Sequence, residues 1–199
     1  RDKLVTGVQT CALPISTIYR AWLKDELQQF VDPVTMGTFS LNAGRTIHQG
    51  IELGLTARLV ENLLTQGSAA EGKADRLGLR QAYTFSDFRF DGDPVFGNNK
   101  LPGIPRHYYR AELVYSNPMG FYLGPNVEWV PQAYWIDNAN TVRTRSYALL
   151  GARAGFDFGN GLRLFVDGRN LTNEKYIGSV GVVPVSTPES SSSPHAAPA

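Results

Sequence analysis

Three histidines, one cysteine and a few clustered carboxylates are the side chains in this sequence best equipped for chemistry, and their spacing narrows what they can do. His48, His107 and His195 stand far apart, whereas a zinc site needs two or three ligands at close spacing. No metal site is expected. His48 and His107 each open a stretch of alternating apolar and polar residues, where a hydrogen bond at a strand rim is the expected role. Cys11 is the sole cysteine, which excludes an internal disulfide and a cysteine-based metal centre. No nucleophile, base and orienting acid form a catalytic arrangement, so neither an enzyme nor a resident cofactor is expected. The Gly159–Phe165 phrase GNGLRLF is glycine-rich, but no phosphate-binding helix follows it, and it reads as a hairpin turn.

The richest polar cluster is Asp91–Asn99, DGDPVFGNN. Asp91, Asp93, Asn98 and Asn99 offer oxygen ligands for calcium, but their spacing departs from the calcium-loop signature, and a solvated loop is expected. Arg89, Arg106, Arg143 and Arg145 lie in or beside polar stretches of the same kind. Gathered at one rim they would attract an anionic ligand, with Asp91 and Asp93 alongside them. Paired instead with Asp91, Asp93 or Asp137, they would leave the rim neutral.

The elements that position these residues repeat with period two. In Ile47–Leu59 one set is Ile47, Gln49, Ile51, Leu53, Leu55, Ala57 and Leu59; the other is His48, Gly50, Glu52, Gly54, Thr56 and Arg58. On a strand these sets occupy opposite faces. The same alternation runs through His107–Tyr115, Phe121–Val130, Tyr147–Phe158 and Leu162–Asn170, and more loosely through Tyr19–Phe30 and Leu77–Phe88. That makes seven strand segments, each near the roughly 9–11 residues that cross a bilayer at a tilt. Ser116–Gly120 and Gly159–Gly161 are tight turns. Val31–Thr46, Asp91–Arg106 and Asp137–Ser146 are longer and polar, while Thr65–Arg76 is long where a short turn is due. Short turns at one end and long loops at the other are how outer-membrane barrels are built.

Bulk numbers agree. The 199 residues carry 19 basic and 18 acidic side chains, a net charge of +1, which gives no reason to expect nucleic acid as a partner. Mean hydropathy is −0.22, and no stretch approaches the roughly 18 apolar residues of a membrane helix. Any crossing of a membrane must be made by strands. Aromatics at 11% and 20 glycines favour β structure with many turns. The run Val5–Ile15, VTGVQTCALPI, resembles the translation of a sequencing-library adapter, so residues 1–16 are expected to be an assembly artefact. Residues 184–199, PVSTPESSSSPHAAPA, are expected to be a disordered tail or the product of a frame shift near Pro188.

Four phrases in order resemble the C-terminal barrel of TonB-dependent outer-membrane receptors. They are Asn42–Leu55 (NAGRTIHQGIELGL), Tyr83–Phe90 (YTFSDFRF), Leu101–Tyr115 (LPGIPRHYYRAELVY) and Leu164–Ile177 (LFVDGRNLTNEKYI), and the likeness covers Thr17 to Val183. It implies an all-β fold: an antiparallel transmembrane β-barrel of about twenty-two strands, plugged by an N-terminal domain, of which this chain holds about seven. It also implies a bacterial outer-membrane location, and contact with TonB through a region absent here. The implied activity is active import of a ferric siderophore, or of cobalamin, another cofactor or a saccharide. A passive porin and a soluble β-sandwich are the readings from other classes. In a bacterial protein the glycosylation-like Asn170-Leu-Thr is incidental. The apolar sets would face lipid, with Tyr109, Tyr115, Trp129, Tyr134 and Trp135 as an aromatic girdle. The final strand, which in this family ends on an aromatic residue, is missing; resequencing across Val183–Ala199 is expected to restore it.

Facing is directly testable in the full-length protein. Cysteines replacing Leu53 or Leu55 should be shielded by lipid, while those replacing Glu52 or Thr56 should react with a water-soluble thiol reagent. Leu53→Arg should cost about 2–4 kcal/mol if that position lies near the bilayer midplane. Equal labelling of both sets would contradict the barrel.

Overall fold

The computed structural model describes residues 12–31, 35, 37–42, 44–65 and 74–178. Cys11, His195 and the segment 184–199 lie outside the described residues. Nine strands are described: β1 (Ala12–Lys24), β2 (Leu27–Val31), β3 (Thr38–Asn42), β4 (Arg45–Glu61), β5 (Arg76–Phe90), β6 (His107–Ser116), β7 (Phe121–Val130), β8 (Tyr147–Asp157) and β9 (Arg163–Gly168). Seven form one sheet in the order β1-β4-β5-β6-β7-β8-β9, every pair antiparallel. Each strand lies beside the next member of that series, as a meander requires. Within the described residues the sheet does not close, and β1 and β9 are its edges.

Register shows why alternation in sequence becomes two continuous faces. Directly opposed residues of an antiparallel pair project to the same side. Leu53 opposes Tyr83, Tyr83 opposes Tyr109, Tyr109 opposes Trp129, and Trp129 opposes Ala148. One step along, Glu52 opposes Thr84, which opposes Tyr108. The first row belongs to an apolar face that remains open to the surroundings, with Leu53, Leu123, Trp129 and Leu150 among its exposed members. The second row belongs to the concave, polar face. A slip of one residue would exchange them.

Two interruptions have local causes. Leu59 is an extra residue where the β4–β5 register shifts between Arg58 and Val60, a bulge near the end of a 17-residue strand. Pro125 lacks an N–H, and the β6–β7 ladder lapses between Asn126 and Leu123 while β7–β8 pairing runs on unbroken. Two glycines on the polar face are required by close approach. A Cβ at Gly50 would collide with the Phe85 carbonyl and the Tyr19 ring, and one at Gly155 with the Tyr122 ring. Each aromatic lies across its opposing glycine, an arrangement that restores packing lost with the missing side chain.

Some expectations change. Tyr19–Phe30 is not one strand: the chain breaks at Asp25, whose φ is 56°, a left-handed conformation that Asp tolerates better than most residues. After it, β2 pairs with β3 in a separate hairpin, so the expected loop Val31–Thr46 contains a strand. At the other end, β1 pairing extends to Ala12↔Ala57.

The ends follow the expected asymmetry. Asn117 and Gly120 close the β6–β7 turn through Gly120 N–H to the Asn117 carbonyl at 3.0 Å, and Phe158 N–H to the Leu162 carbonyl closes β8–β9 at 3.0 Å. At the same end, the two described ends of the longer β4–β5 connection are tied together by Asp75, which is fully buried. Its carboxylate accepts Leu64 N–H at 2.8 Å, Thr65 N–H at 3.3 Å and the Thr65 hydroxyl at 2.9 Å. Burial opposes ionisation, yet these hydrogen bonds outweigh it and hold the carboxyl below its ordinary 3.8. Asp75 therefore stabilises the turn fully above the unfolded value, and that contribution is lost as pH falls through the lower folded value. Asp75→Ala in the intact protein should speed amide exchange at Leu64 and Thr65 at neutral pH; unchanged protection would show that the turn is held by something else.

Candidate functional site

The long connections β5–β6 and β7–β8 meet at the end opposite the tight turns and fix each other. Within the first, Asp93 is turned onto its own loop: its Oδ1 accepts Val95 N–H and Phe96 N–H, each at 2.9 Å. Asn98 Oδ1 accepts Gly92 N–H at 3.0 Å. These side chains shape a turn and are not gathered as calcium ligands. Phe90 and Leu101 are buried beneath, packed with Phe88, Phe96 and Ile104.

In the second connection Asp137 is fully buried. It accepts Thr141 N–H and Val142 N–H, each at 3.0 Å, and the Thr141 hydroxyl at 2.5 Å. Asn140, at φ 57°, then reaches the first loop, accepting Lys100 N–H at 2.8 Å and donating to the Lys100 carbonyl at 2.9 Å. Asn99 adds a bond from its Nδ2 to the Asn138 carbonyl at 2.9 Å. A side-chain amide thus substitutes for a strand partner, and the two loops dock as one platform.

A recess lies between them, with Asp87, Lys100, Arg106, Gln132, Trp135 and Arg143 among its walls. The Arg143 guanidinium sits 3.7 Å from the centroid of the Trp135 ring, and Arg106 lies 5.4 Å from that of Phe85. Of the four predicted arginines, the fold brings Arg106 and Arg143 to this recess. Arg89 is elsewhere, opposed to Ile47 on the apolar face, and Arg145 is exposed two residues beyond Arg143. Asp91 stands 4.0 Å from Arg45, a solvated pair worth about 0–1 kcal/mol.

The concave face carries charges that oppose across strands. Arg153 Nε lies 2.5 Å from Glu112 Oε1 and its Nη2 donates to Oε2 at 2.7 Å, a two-pronged pairing between β8 and β6 that spans β7. Arg80 opposes Glu112, Arg110 opposes Glu128, and Arg153 opposes Asp167. The architecture is an antiparallel wall of long strands with an apolar convex side, a charged concave side and loops at one end. Residues 16–171 match the protein family described as TonB dependent receptor-like, beta-barrel.

The chain belongs to this family.

It is similar to the ferrioxamine receptor of Yersinia enterocolitica, 25% identical over 171 residues, spanning 81% of this chain and 22% of that protein. Its fold is similar to the crystal structure of the siderophore receptor PiuA from Acinetobacter baumannii, with a TM-score of 0.59, 19% identity, and coverage of 85% of this chain and 23% of that one. The chain therefore spans less than a quarter of the length of either relative. Receptors of this family are bacterial outer-membrane transport proteins rather than enzymes, and the seven-stranded sheet is a length of barrel wall.

In that setting the loop platform is the outer end and the tight turns are the inner end. Tyr109 and Trp129 oppose each other on the apolar face near the outer end, edge to face at 6.5 Å, and Tyr115 lies near the inner turn. Tyr134 and Trp135 do not join them, because both lie in the β7–β8 loop and not on a strand. Tyr134 is 6% exposed, packed with Val130 and Tyr147 beneath the platform, and burial pushes its hydroxyl pKa up. His107 Nδ1 meets the Tyr83 hydroxyl at 2.8 Å, and His48 Nε2 lies 3.3 Å from Glu26 Oε2. The pairing of Glu112 with Arg153 and the docking role of Asn140 were missed in sequence. The alternating pattern put Glu112 and Arg153 in polar sets, but their meeting depends on register across β7.

Asn140→Ala in the intact receptor removes both bonds to Lys100 and leaves a left-handed backbone to a residue that disfavours it. We expect the platform to weaken by about 1–3 kcal/mol, seen as faster proteolytic nicking within residues 91–106. Unaltered nicking would mean that the buried aromatic contacts alone hold the loops together.

Proposed function

We propose that the intact protein imports a scarce, large ligand across the outer membrane, with a ferric siderophore as the first candidate. The energy would come through TonB, acting on a plug within the barrel. The observation that carries this reading is the recess between the docked loops, where Arg106 and Arg143 stand with Trp135 at the outer end. Cations held on a rigid platform attract an anionic chelate and need little reordering to receive it. The names of the similar proteins, a ferrioxamine receptor and a siderophore receptor, support the same ligand class. This chain would supply wall and outer loops. The plug and the contact with TonB would come from the rest of the protein.

Replacing Arg106 and Arg143 together by Gln in the intact receptor should weaken ferric-siderophore binding by about tenfold, more at low salt than at high. Titration of ligand fluorescence quenching at two ionic strengths reads this. Unchanged affinity, or preference for a neutral cofactor, would defeat the siderophore assignment.

A further inference from the structure

The hairpin β2–β3 pairs with itself as a two-stranded sheet, separate from the seven-stranded wall. It leaves the wall at the outer rim, where Lys24 at the end of β1 opposes Arg45 at the start of β4. Asp25 makes the exit turn at φ 56°, and its N–H donates to the Gly44 carbonyl at 3.0 Å, a backbone bond across the base of the hairpin. The next residue, Glu26, reaches back onto β4. Its Oε2 accepts the hydroxyl of buried Thr46 at 2.9 Å and stands 3.3 Å from His48 Nε2. The base of the hairpin is therefore a hinge at Asp25 and Gly44, closed by one carboxylate.

His48 is held in place yet left unsatisfied. Its ring stacks on Phe88 of β5, with centroids 4.2 Å apart and planes 10° from parallel, and Nε2 is buried without a hydrogen bond. A neutral imidazole has little claim on the carboxylate, whereas a protonated one brings a full charge and a second N–H. Neighbouring elements offer no rival charge. On the same face β1 contributes Ala21, opposite His48, and Tyr19, which lies edge-on to Phe88; β5 contributes Phe88 itself, with Ser86 and Phe90 to either side. Lys24 and Asp25 belong to the exit turn, and Arg45 lies beside Asp91. Among the described residues Glu26 is the acid within 4.0 Å of His48. We propose that Glu26 and His48 form a latch on the outer hairpin that tightens when His48 is protonated. Histidine is the side chain whose charge ordinarily changes between about pH 5 and 8. In acid the charged contact adds to the Thr46 bond and holds the hairpin down. As pH rises the imidazole loses its proton, the Thr46 bond remains alone, and the hairpin opens more often about its hinge. The latch governs access at the outer rim and is independent of which ligand the receptor carries.

Hydrogen exchange in the intact receptor, purified in mild detergent, reads the latch in peptides covering residues 24–31. After correction for the intrinsic pH dependence of exchange, opening should be roughly three- to tenfold more frequent at about pH 8 than at about pH 5.5. His48→Gln and Glu26→Gln should each remove this response. Thr46→Val should raise opening at both pH values and keep their ratio. His107→Gln should also keep it, because His107 meets the Tyr83 hydroxyl and not an acid. Comparison is made on protein that keeps the compact, unheated gel band, which separates a lost latch from lost folding; Glu26→Gln, outside the strands, decides if His48→Gln does not fold. Equal opening of the unaltered receptor at the two pH values would overturn the proposal, as would a pH response that survives either Gln substitution in the latch.

Discussion

Hydrocarbon offers no partner to a peptide N–H or carbonyl, so a wall that crosses it must satisfy each strand from its neighbours. The consequences run through the whole sheet. Strands of 10–17 residues form the span from β4 to β8, and their register keeps opposed residues on one side over the entire width. Where the ladder is interrupted, the cause is local and visible: the extra Leu59, or the missing donor of Pro125. The same requirement fixes glycine at positions 50 and 155, because an aromatic ring from the neighbouring strand must lie flat across the polar face without spreading the backbones. Among the described residues β1 and β9 are the edges of the sheet, where a closed barrel pairs further strands.

The two faces then obey different rules. On the convex side Leu53, Leu123 and Leu150 remain exposed, an arrangement that in water would invite aggregation but in lipid has no penalty. On the concave side charges sit opposite one another, and the two-pronged contact of Arg153 with Glu112 reaches over an intervening strand. Such pairs contribute modestly to stability when solvated, and the register of the strands fixes which of them meet.

At the outer end the problem is different, because the loops leave the ladder and must be satisfied by side chains. Asp137 and Asn140 do what neighbouring strands do elsewhere: the first gathers the N–H groups of its own turn, the second exchanges two bonds with Lys100. Aromatic burial beneath, at Phe90 and Tyr134, closes the platform onto the barrel. Asp75 plays the corresponding part at the inner end. At the outer end, loops that would otherwise be flexible thereby become surfaces of defined shape.

The sequence alone determined the all-β class, the seven-strand sheet, the identity of its two faces and the end at which the long loops lie. Each of these follows from a period-two pattern, and a strand transmits such a pattern to its faces without help from the rest of the molecule. The sequence also held the family resemblance, in phrases that span strands and loops together. The tertiary structure decided everything that depends on which strand meets which and by how much. It split Tyr19–Phe30 at Asp25, moved Tyr134 and Trp135 from a girdle into the loop platform, and divided the arginines between a recess and the apolar face. These are questions of register and of long-range docking. The partners of Asn140 and Arg153 lie some forty residues away, a separation that no local pattern encodes.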